Sequence, residues 1–343
     1  MSGRNHWVDE AKALGIILVV YGHVARGLEK AGILEGGRVY TLIDSVIYSF
    51  HMPLFFFLSG LFFFKSFETR GAKGLLASKL DTIAYPYVVW SLLQGGIELV
   101  MAAHTNGGMS GTQLFSVLWE PRAQFWFLYA LFFIFVIAAL VFAWLPPAMV
   151  WPLAAASVLV YLDPGVLPDS VVSIYVARNL VYFMMGVIFS KLALETRLGA
   201  PHRAVFLGAL FIAAQYGFHV LQGKTYKNSG LEALALAGIS ILFIASVSLR
   251  QWVGRGAWLS KIGEASMAIY LAHIVCSSGA RIVLLKAFKV ESPALHLVVG
   301  LSAGLALPMV LEWWVRTKRL NYVFSAPIAS QISKAIATFK AGR

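Results

Sequence analysis

Seven ionisable side chains fall within, or at the edges of, segments otherwise apolar enough to enter a membrane: Lys12, Lys79, Arg178, Arg281, His23, His51 and His273. Such groups are costly in hydrocarbon and normally face a partner or a wet cavity, so they are where chemistry is to be sought. Histidine in particular exchanges protons near neutral pH. Lys12 and His23 share one stretch, DEAKALGIILVVYGH, residues 9–23. Eleven residues of helix make about three turns and rise about 16 Å. The two side chains therefore share a face, with Lys12 near one interface and His23 beyond the bilayer midpoint. A plainer reading stays open beside this one. Lys12 either pairs with Asp9 at i,i+3 or snorkels to the interface, and His23 only hydrogen-bonds a neighbouring helix.

The elements that position these groups are membrane spans. Of the 343 residues 59% are hydrophobic and only 13% charged, about half the charge of an average soluble domain; the mean hydropathy is +0.74. A span needs about 20 mostly apolar residues. Candidate runs are 11–27, 39–64, 75–103, 125–145, 148–162, 172–190, 204–222, 231–249, 264–285 and 295–315, which predicts an all-α integral membrane protein of about ten transmembrane helices. The fifth run, between Pro146-Pro147 and Asp163-Pro164, is the shortest. The first run lacks a small-residue cleavage site and is expected to remain as a span. With the N-terminus inside, cytoplasmic segments hold sixteen Lys and Arg against eight on the other side, which places both termini in the cytoplasm. The net charge of +12 is thus read as loop charge, and no nucleic-acid partner is expected. The one cysteine, Cys276, rules out an intramolecular disulfide and a thiolate metal site, and no metal site is expected.

No linker or internal repeat divides the chain, which reads as one domain over 1–325 and a tail over 326–343. In that tail Ile328, Ile332, Ile336 and Phe339 recur at helical spacing with Lys334 and Lys340 elsewhere. The pattern fits a basic amphipathic helix on the inner membrane surface, and equally a frayed end. In SFHMPLFFFLSG, residues 49–60, Pro53 removes a backbone hydrogen bond beside His51, as suits a cavity lining. Ser59-Gly60 lacks the flanking glycines of a nucleophile elbow and reads as close helix packing. The Phe55–Phe57 run reads as lipid-facing packing.

Together these segments resemble the membrane-bound acyltransferase family 3, the bacterial O-acyltransferases of surface and secreted glycans, and within it the fucose O-acetylase-like branch. Members open their first span with a basic residue, ten intervening residues and a histidine, as Lys12 and His23 do. Further stretches carry the likeness: SFHMPLFFFLSG, Tyr85-Pro86-Tyr87, QFWFLYALF at 124–132, RNLVYFMMG at 178–186 and IGEASMAIYLAH at 262–273. Each alone is weak; their order makes the combination specific, from residue 7 to about 325. Two features depart from the pattern. Many members have arginine where this chain has Lys12, and many carry two basic residues one apart at the start of the third span, where this chain has Lys79 and Asp81. No SGNH-type domain is expected after the last span.

The resemblance implies transfer of an acyl group, usually acetyl, from cytoplasmic acyl-CoA to a hydroxyl of a glycan or its lipid-linked precursor. It implies acyl-CoA as co-substrate with no bound cofactor, residence in the bacterial inner membrane among its lipids, and glycan-assembly proteins as possible partners. On this reading His23 is the general base, with Asp9 grouped beside it as a candidate catalytic residue. Lys12, Lys73 and Lys79 become candidates for the CoA phosphates. A lysine holds phosphate as a point charge without arginine's bidentate fork. His51, Tyr85, Arg178, His273 and Arg281 are candidates for acceptor binding, oxyanion stabilisation or cavity lining. Glu264 or Glu312 could instead hold the arginines in structural pairs. The competing reading is a secondary transporter, since many spans with central charges describe those too. The lysine-to-histidine spacing and the absence of a repeat favour the enzyme.

Overall fold

The computed structural model describes residues 5–101, 115–250, 256–329 and 331. Among them every regular element is a helix. The chain opens with α1 (His6–Lys30), α2 (Arg38–Tyr48) and α3 (His51–Gly60). Then α4 (Phe63–Lys79) passes through a π turn, Leu80–Ala84, into α5 (Tyr85–Val100). There follow α6 (Trp126–Trp144), α7 (Val150–Leu162), α8 (Val171–Lys191), the short α9 (Glu195–Leu198) and α10 (Pro201–Tyr216). The last are α11 (Leu231–Leu249), α12 (Gly256–Glu264), α13 (Ser266–Lys286) and α14 (Pro293–Thr317).

Among the described residues eight segments are long and apolar enough to cross a membrane, and they coincide with eight of the ten runs seen in the sequence. The other two are shorter. The 75–103 run is interrupted by the π turn, and the 148–162 run is the 13-residue α7 behind a 3-10 turn at Pro147–Met149. Large apolar side chains stand exposed along the spans, such as Val205 (69%) and Ile212 (68%) on α10 and Val310 (58%) on α14. A water-soluble chain rarely leaves so much apolar surface open; here lipid is the solvent that covers it. The fold is that of an all-α, multi-pass membrane protein. Most of the tail expected over 326–343 lies outside the described residues.

Prolines set the two breaks that matter. Pro53 has no N–H to give to the Ser49 carbonyl, and the helix is interrupted there, Phe50 taking φ −142°, ψ −20° between α2 and α3. Pro86 likewise cannot donate to Thr82. The ladder loosens one turn earlier, where Tyr85 N–H reaches back five residues to Leu80, the bonding of a π turn. Gly71 breaks α4 with φ +66°, a left-handed value that suits glycine.

The chain forms two compact units, one of residues 1–61 and 182–312, the other of residues 62–181 and 313–343. In the first, α1 is the central helix, packed by α3, α11, α12 and α13. Glycines let this happen. A Cβ at Gly263 would overlap the Asp9 carbonyl oxygen, and one at Gly15 would lie 3.0 Å from the Phe55 ring. In lipid, where apolar surfaces gain little by meeting, such close backbone approach is what holds helices together. In the second unit α4 and the π turn pack on α6. The Asp81 carboxylate of that turn accepts the Ala329 N–H at 2.9 Å, and the Trp90 indole donates to the Val323 carbonyl at 2.8 Å, which ties the start of the C-terminal segment to the same unit.

Candidate active site

The first unit gathers three histidines and an arginine from three helices. His23 lies on α1. On α13, His273, Ser277 and Arg281 recur every four residues and so share one face. On α14, His296, Gly300 and Gly304 do the same. A Cβ at Gly300 would stand 2.9 Å from Val24 Cγ1, and one at Gly304 2.7 Å from Val20 Cγ1. The two glycines therefore bring α14 against α1, which carries His296 to the end of the helix where His23 sits. A cavity of about 20 Å³ is left, lined among others by His23, Ser277, Ser278, Arg281 and His296. It is large enough for about one water.

The hydrogen bonds fix two of the imidazoles. His273 Nδ1 lies 2.9 Å from the Ile269 carbonyl and 2.8 Å from that of Tyr270. Carbonyls only accept, so Nδ1 carries the proton and the neutral ring presents Nε2 as a lone pair. That Nε2 is buried without a partner among the described residues. His296 is the mirror case. Its Nε2–H donates to the Val290 carbonyl at 2.9 Å, and its Nδ1 is the buried, unpartnered atom. His23 is half-buried and rests against His273, ring centroids 5.1 Å apart and planes 58° apart. Neither His23 nitrogen has a hydrogen-bond partner among the described residues. A buried polar atom without a partner, as His273 Nε2 and His296 Nδ1 are, is uncommon.

Arg281 brings a fixed positive charge to the same place. It donates to the Gly27 carbonyl at 2.5 Å and makes no ion pair among the described residues, so neither Glu264 nor Glu312 holds it. With four of its five N–H groups uncommitted to protein, it can stabilise negative charge appearing beside His23.

The other candidates are placed as follows. Lys12 and Asp9 form the i,i+3 pair, Nζ to Oδ1 3.5 Å, at the opposite end of α1. Asp9 stands about 21 Å along the helix from His23, with α12 packed on its backbone. His51 begins α3, donating through Nδ1 to the Ile47 carbonyl at 2.8 Å, edge-on to Tyr48 at 4.5 Å. Lys73, Lys79, Tyr85 and Arg178 belong to the second unit. There Lys73 is exposed and Lys79 Nζ lies 4.1 Å from the centre of the Phe135 ring. Tyr85 donates to the Tyr322 carbonyl at 2.7 Å, and the Arg178 guanidinium is 6.0 Å from the Tyr161 ring. The structure thus brings His23, His273 and Arg281 together. Among the described residues no group of three or more His, Cys, Asp or Glu is arranged to hold a metal ion.

His296 and the Arg26–Asp44 pair are the residues that sequence reasoning missed. His296 sits at the start of its run, where a polar residue draws no notice; the spacing His296-Gly300-Gly304 was the available signal. Arg26 reads as a loop cation in the sequence. In the structure α1 continues to Lys30, and Arg26 grips Asp44 through two bonds of 2.7 and 2.8 Å.

Comparison with known proteins identifies the family. The family model described as an acyltransferase domain matches residues 5–313. Glucans biosynthesis protein C of Salmonella gallinarum is 22% identical over 337 residues, covering 86% of this chain and 87% of that protein. The protein of the same name from Salmonella heidelberg matches to the same extent. Nodulation protein NolL of Sinorhizobium fredii is 26% identical over 198 residues, 55% of this chain and 50% of that protein. No solved structure matches the chain. The family match spans α1 through nearly all of α14 and so takes in every residue of the histidine cluster: the chain belongs to the membrane-bound acyltransferase family 3.

Proposed function

We propose that this protein is an integral-membrane O-acyltransferase of the bacterial inner membrane, moving an acyl group, acetyl in the simplest case, from cytoplasmic acyl-CoA to a hydroxyl of a surface or secreted glycan or its lipid-linked precursor. Family membership supplies the acyl transfer. The names of the relatives, one tied to glucans and one to nodulation, support a saccharide acceptor. The observation that carries the reading is His23, an imidazole inside the helix bundle with both nitrogens uncommitted and a guanidinium across the same small cavity.

The chemistry follows from that pairing. His23 takes the proton of the acceptor hydroxyl as its oxygen attacks the thioester carbonyl carbon. A C–O bond forms, the carbonyl electrons move to oxygen, and Arg281 faces the resulting oxyanion. Collapse breaks the C–S bond. The departing CoA thiolate takes the proton back from the imidazolium, so the products are an ester and free CoA. His273, pinned through Nδ1, holds the His23 ring from one side and keeps its own Nε2 as an acceptor.

The donor reaches His23 from the Lys12 end of α1. The roughly 16 Å between the two residues is spanned by the extended pantetheine arm, with the nucleotide and phosphates at the cytoplasmic interface, where both chain termini also lie. Within the first unit Lys12 is the cation offered to the phosphates; Lys73 and Lys79, the other two candidates, belong to the second unit. Replacing Lys12 by Ala is expected to raise the acyl-CoA KM about five- to tenfold while the acceptor KM stays put; an unchanged donor KM removes Lys12 from the site and leaves it as the partner of Asp9.

The reading as a whole is tested in the cell. Ester-linked acyl groups on surface glycan are quantified by mass spectrometry with and without the protein. Loss of the ester without the protein, and its return with the wild-type chain, is the expected result. Equal ester levels, together with a loss of small-molecule uptake, would make the protein a transporter instead.

A further inference from the structure

Past His23, the last turns of α1 open onto a second and much larger cavity, of about 380 Å³, within the size range of small-molecule sites. Its walls come from α1, from α2 and from the connection between α10 and α11, all in the first unit. Arg26 and Asp44 line it together with the aromatic Tyr40 and Tyr226, and the exposed Glu29, Lys30 and Lys227 complete its charged lining.

These walls are held in place. Arg26 binds Asp44 through both oxygens, and its guanidinium lies 3.3 Å from the centre of the Tyr48 ring and 5.1 Å from that of Tyr226. The Tyr226 backbone N–H donates to Ser45 Oγ at 2.8 Å, so the α10–α11 connection is fastened to α2 by a hydroxyl that is itself buried. Tyr40 stands one turn before Asp44 on the same helix face.

The chemistry of the lining selects among ligands. The charges of Arg26 and Asp44 are spent on each other, and the remaining charged lining residues, Glu29, Lys30 and Lys227, are exposed to solvent and screened by it. Both groups keep hydrogen-bonding capacity: the carboxylate retains a lone pair on each oxygen, and the guanidinium retains three N–H donors. A planar donor–acceptor edge of this kind suits neighbouring hydroxyls, each of which both gives and receives. Tyrosine faces supply the amphipathic contact that covers the C–H face of a ring. We propose that this cavity is a binding subsite for a neutral glycosyl unit of the acceptor, with Tyr226 as its stacking platform and the Arg26–Asp44 pair as its hydroxyl reader. The proposal rests on the acyltransferase reading and gives it an acceptor class. Arg26 follows His23 by three residues, about 4.5 Å of helix rise. A sugar seated on the pair therefore lies within one turn of the base.

The test uses the full chain in detergent and gluco-oligosaccharides of two to seven units as the probe. Binding is read by saturation-transfer NMR, which detects millimolar affinities and needs no acyl-CoA. Wild type is expected to bind, Tyr226→Ala to weaken binding about tenfold, and Tyr226→Phe to restore it because the ring face is what matters. Absence of binding by wild type, undiminished binding by Tyr226→Ala, or failure of Tyr226→Phe to restore it would each overturn the subsite. These outcomes are independent of turnover. If the oligosaccharide binds through Tyr226 but no ester forms, the subsite stands and the acyltransferase reading falls. If ester forms with the same acceptor KM in Tyr226→Ala, the reverse holds.

Discussion

Replacing His23 by Gln is expected to lower kcat for acyl transfer by about 10²–10⁴-fold, the contribution of a positioned general base, while the protein folds and inserts as before. The second half of that expectation comes from the geometry. His23 makes no hydrogen bond within the described protein, so substitution leaves no donor or acceptor orphaned and creates no buried polar debt. Glutamine fills a similar volume against His273 and can still accept a hydrogen bond, but it cannot carry away a proton. The measurement is CoA release and ester formation by the purified chain, alongside its melting temperature in detergent. The pH profile adds a sharper readout. With imidazole as base, the wild-type rate falls on the acid side as the ring protonates and can no longer accept the hydroxyl proton. The residual rate of the variant should lack that acid limb. Wild-type turnover in His23→Gln, or an acid limb that survives the substitution, would move the base elsewhere, His273 being the nearest imidazole with a spare lone pair.

Some of this site is legible in the sequence because hydrocarbon makes it so. His23, His273 and Arg281 stand out since an ionisable group in a span must have a reason to be there, and all three converge. The same rule is silent about His296, which begins its span, and about Arg26, which sits near the end of one. A residue near an interface carries no penalty that draws attention to it, yet helix packing can still bring it inward. Proline marks the break between α2 and α3 because its missing N–H acts locally, within four residues of Ser49. The two compact units interleave along the chain, and no stretch of linker composition marks where one passes to the other. Which cations share a unit with the histidines depends on distant contacts, and Lys79 and Arg178, read in one list with Arg281, belong to the other unit, as Lys73 does.

The largest structural effect is expected where the sequence shows only Ser59-Gly60 and, in the RNLVYFMMG stretch, Gly186. These two glycines face each other across α3 and α8. A Cβ at Gly60 would overlap the Phe183 carbonyl oxygen and lie 3.1 Å from Val187 N; one at Gly186 would overlap the Phe57 carbonyl oxygen and lie 3.2 Å from Leu61 N. The contact is reciprocal, backbone on backbone, so no side chain can turn aside to make room. Either Gly→Ala substitution must push the helices apart, along with the fully buried Phe56, Phe57 and Phe183 packed around them. Overpacking of this kind costs about 1–3 kcal/mol where side chains can yield, and the upper end applies where they cannot. Gly60→Ala or Gly186→Ala should therefore lower the melting temperature in detergent by roughly 5–10 °C. Gly238→Ala in α11 is the matched control, because a Cβ there meets nothing within 4 Å and alanine favours the helix by about 0.5–1 kcal/mol. If Gly60→Ala melted with the control, the glycine pair would not be what sets the distance between α3 and α8. A drop in both glycine variants, with His23 chemistry slowed only in proportion to the folded fraction, would place the pair where the packing puts it: as the joint that fixes α3 and its His51 against the rest of the first unit, apart from the proton transfer itself.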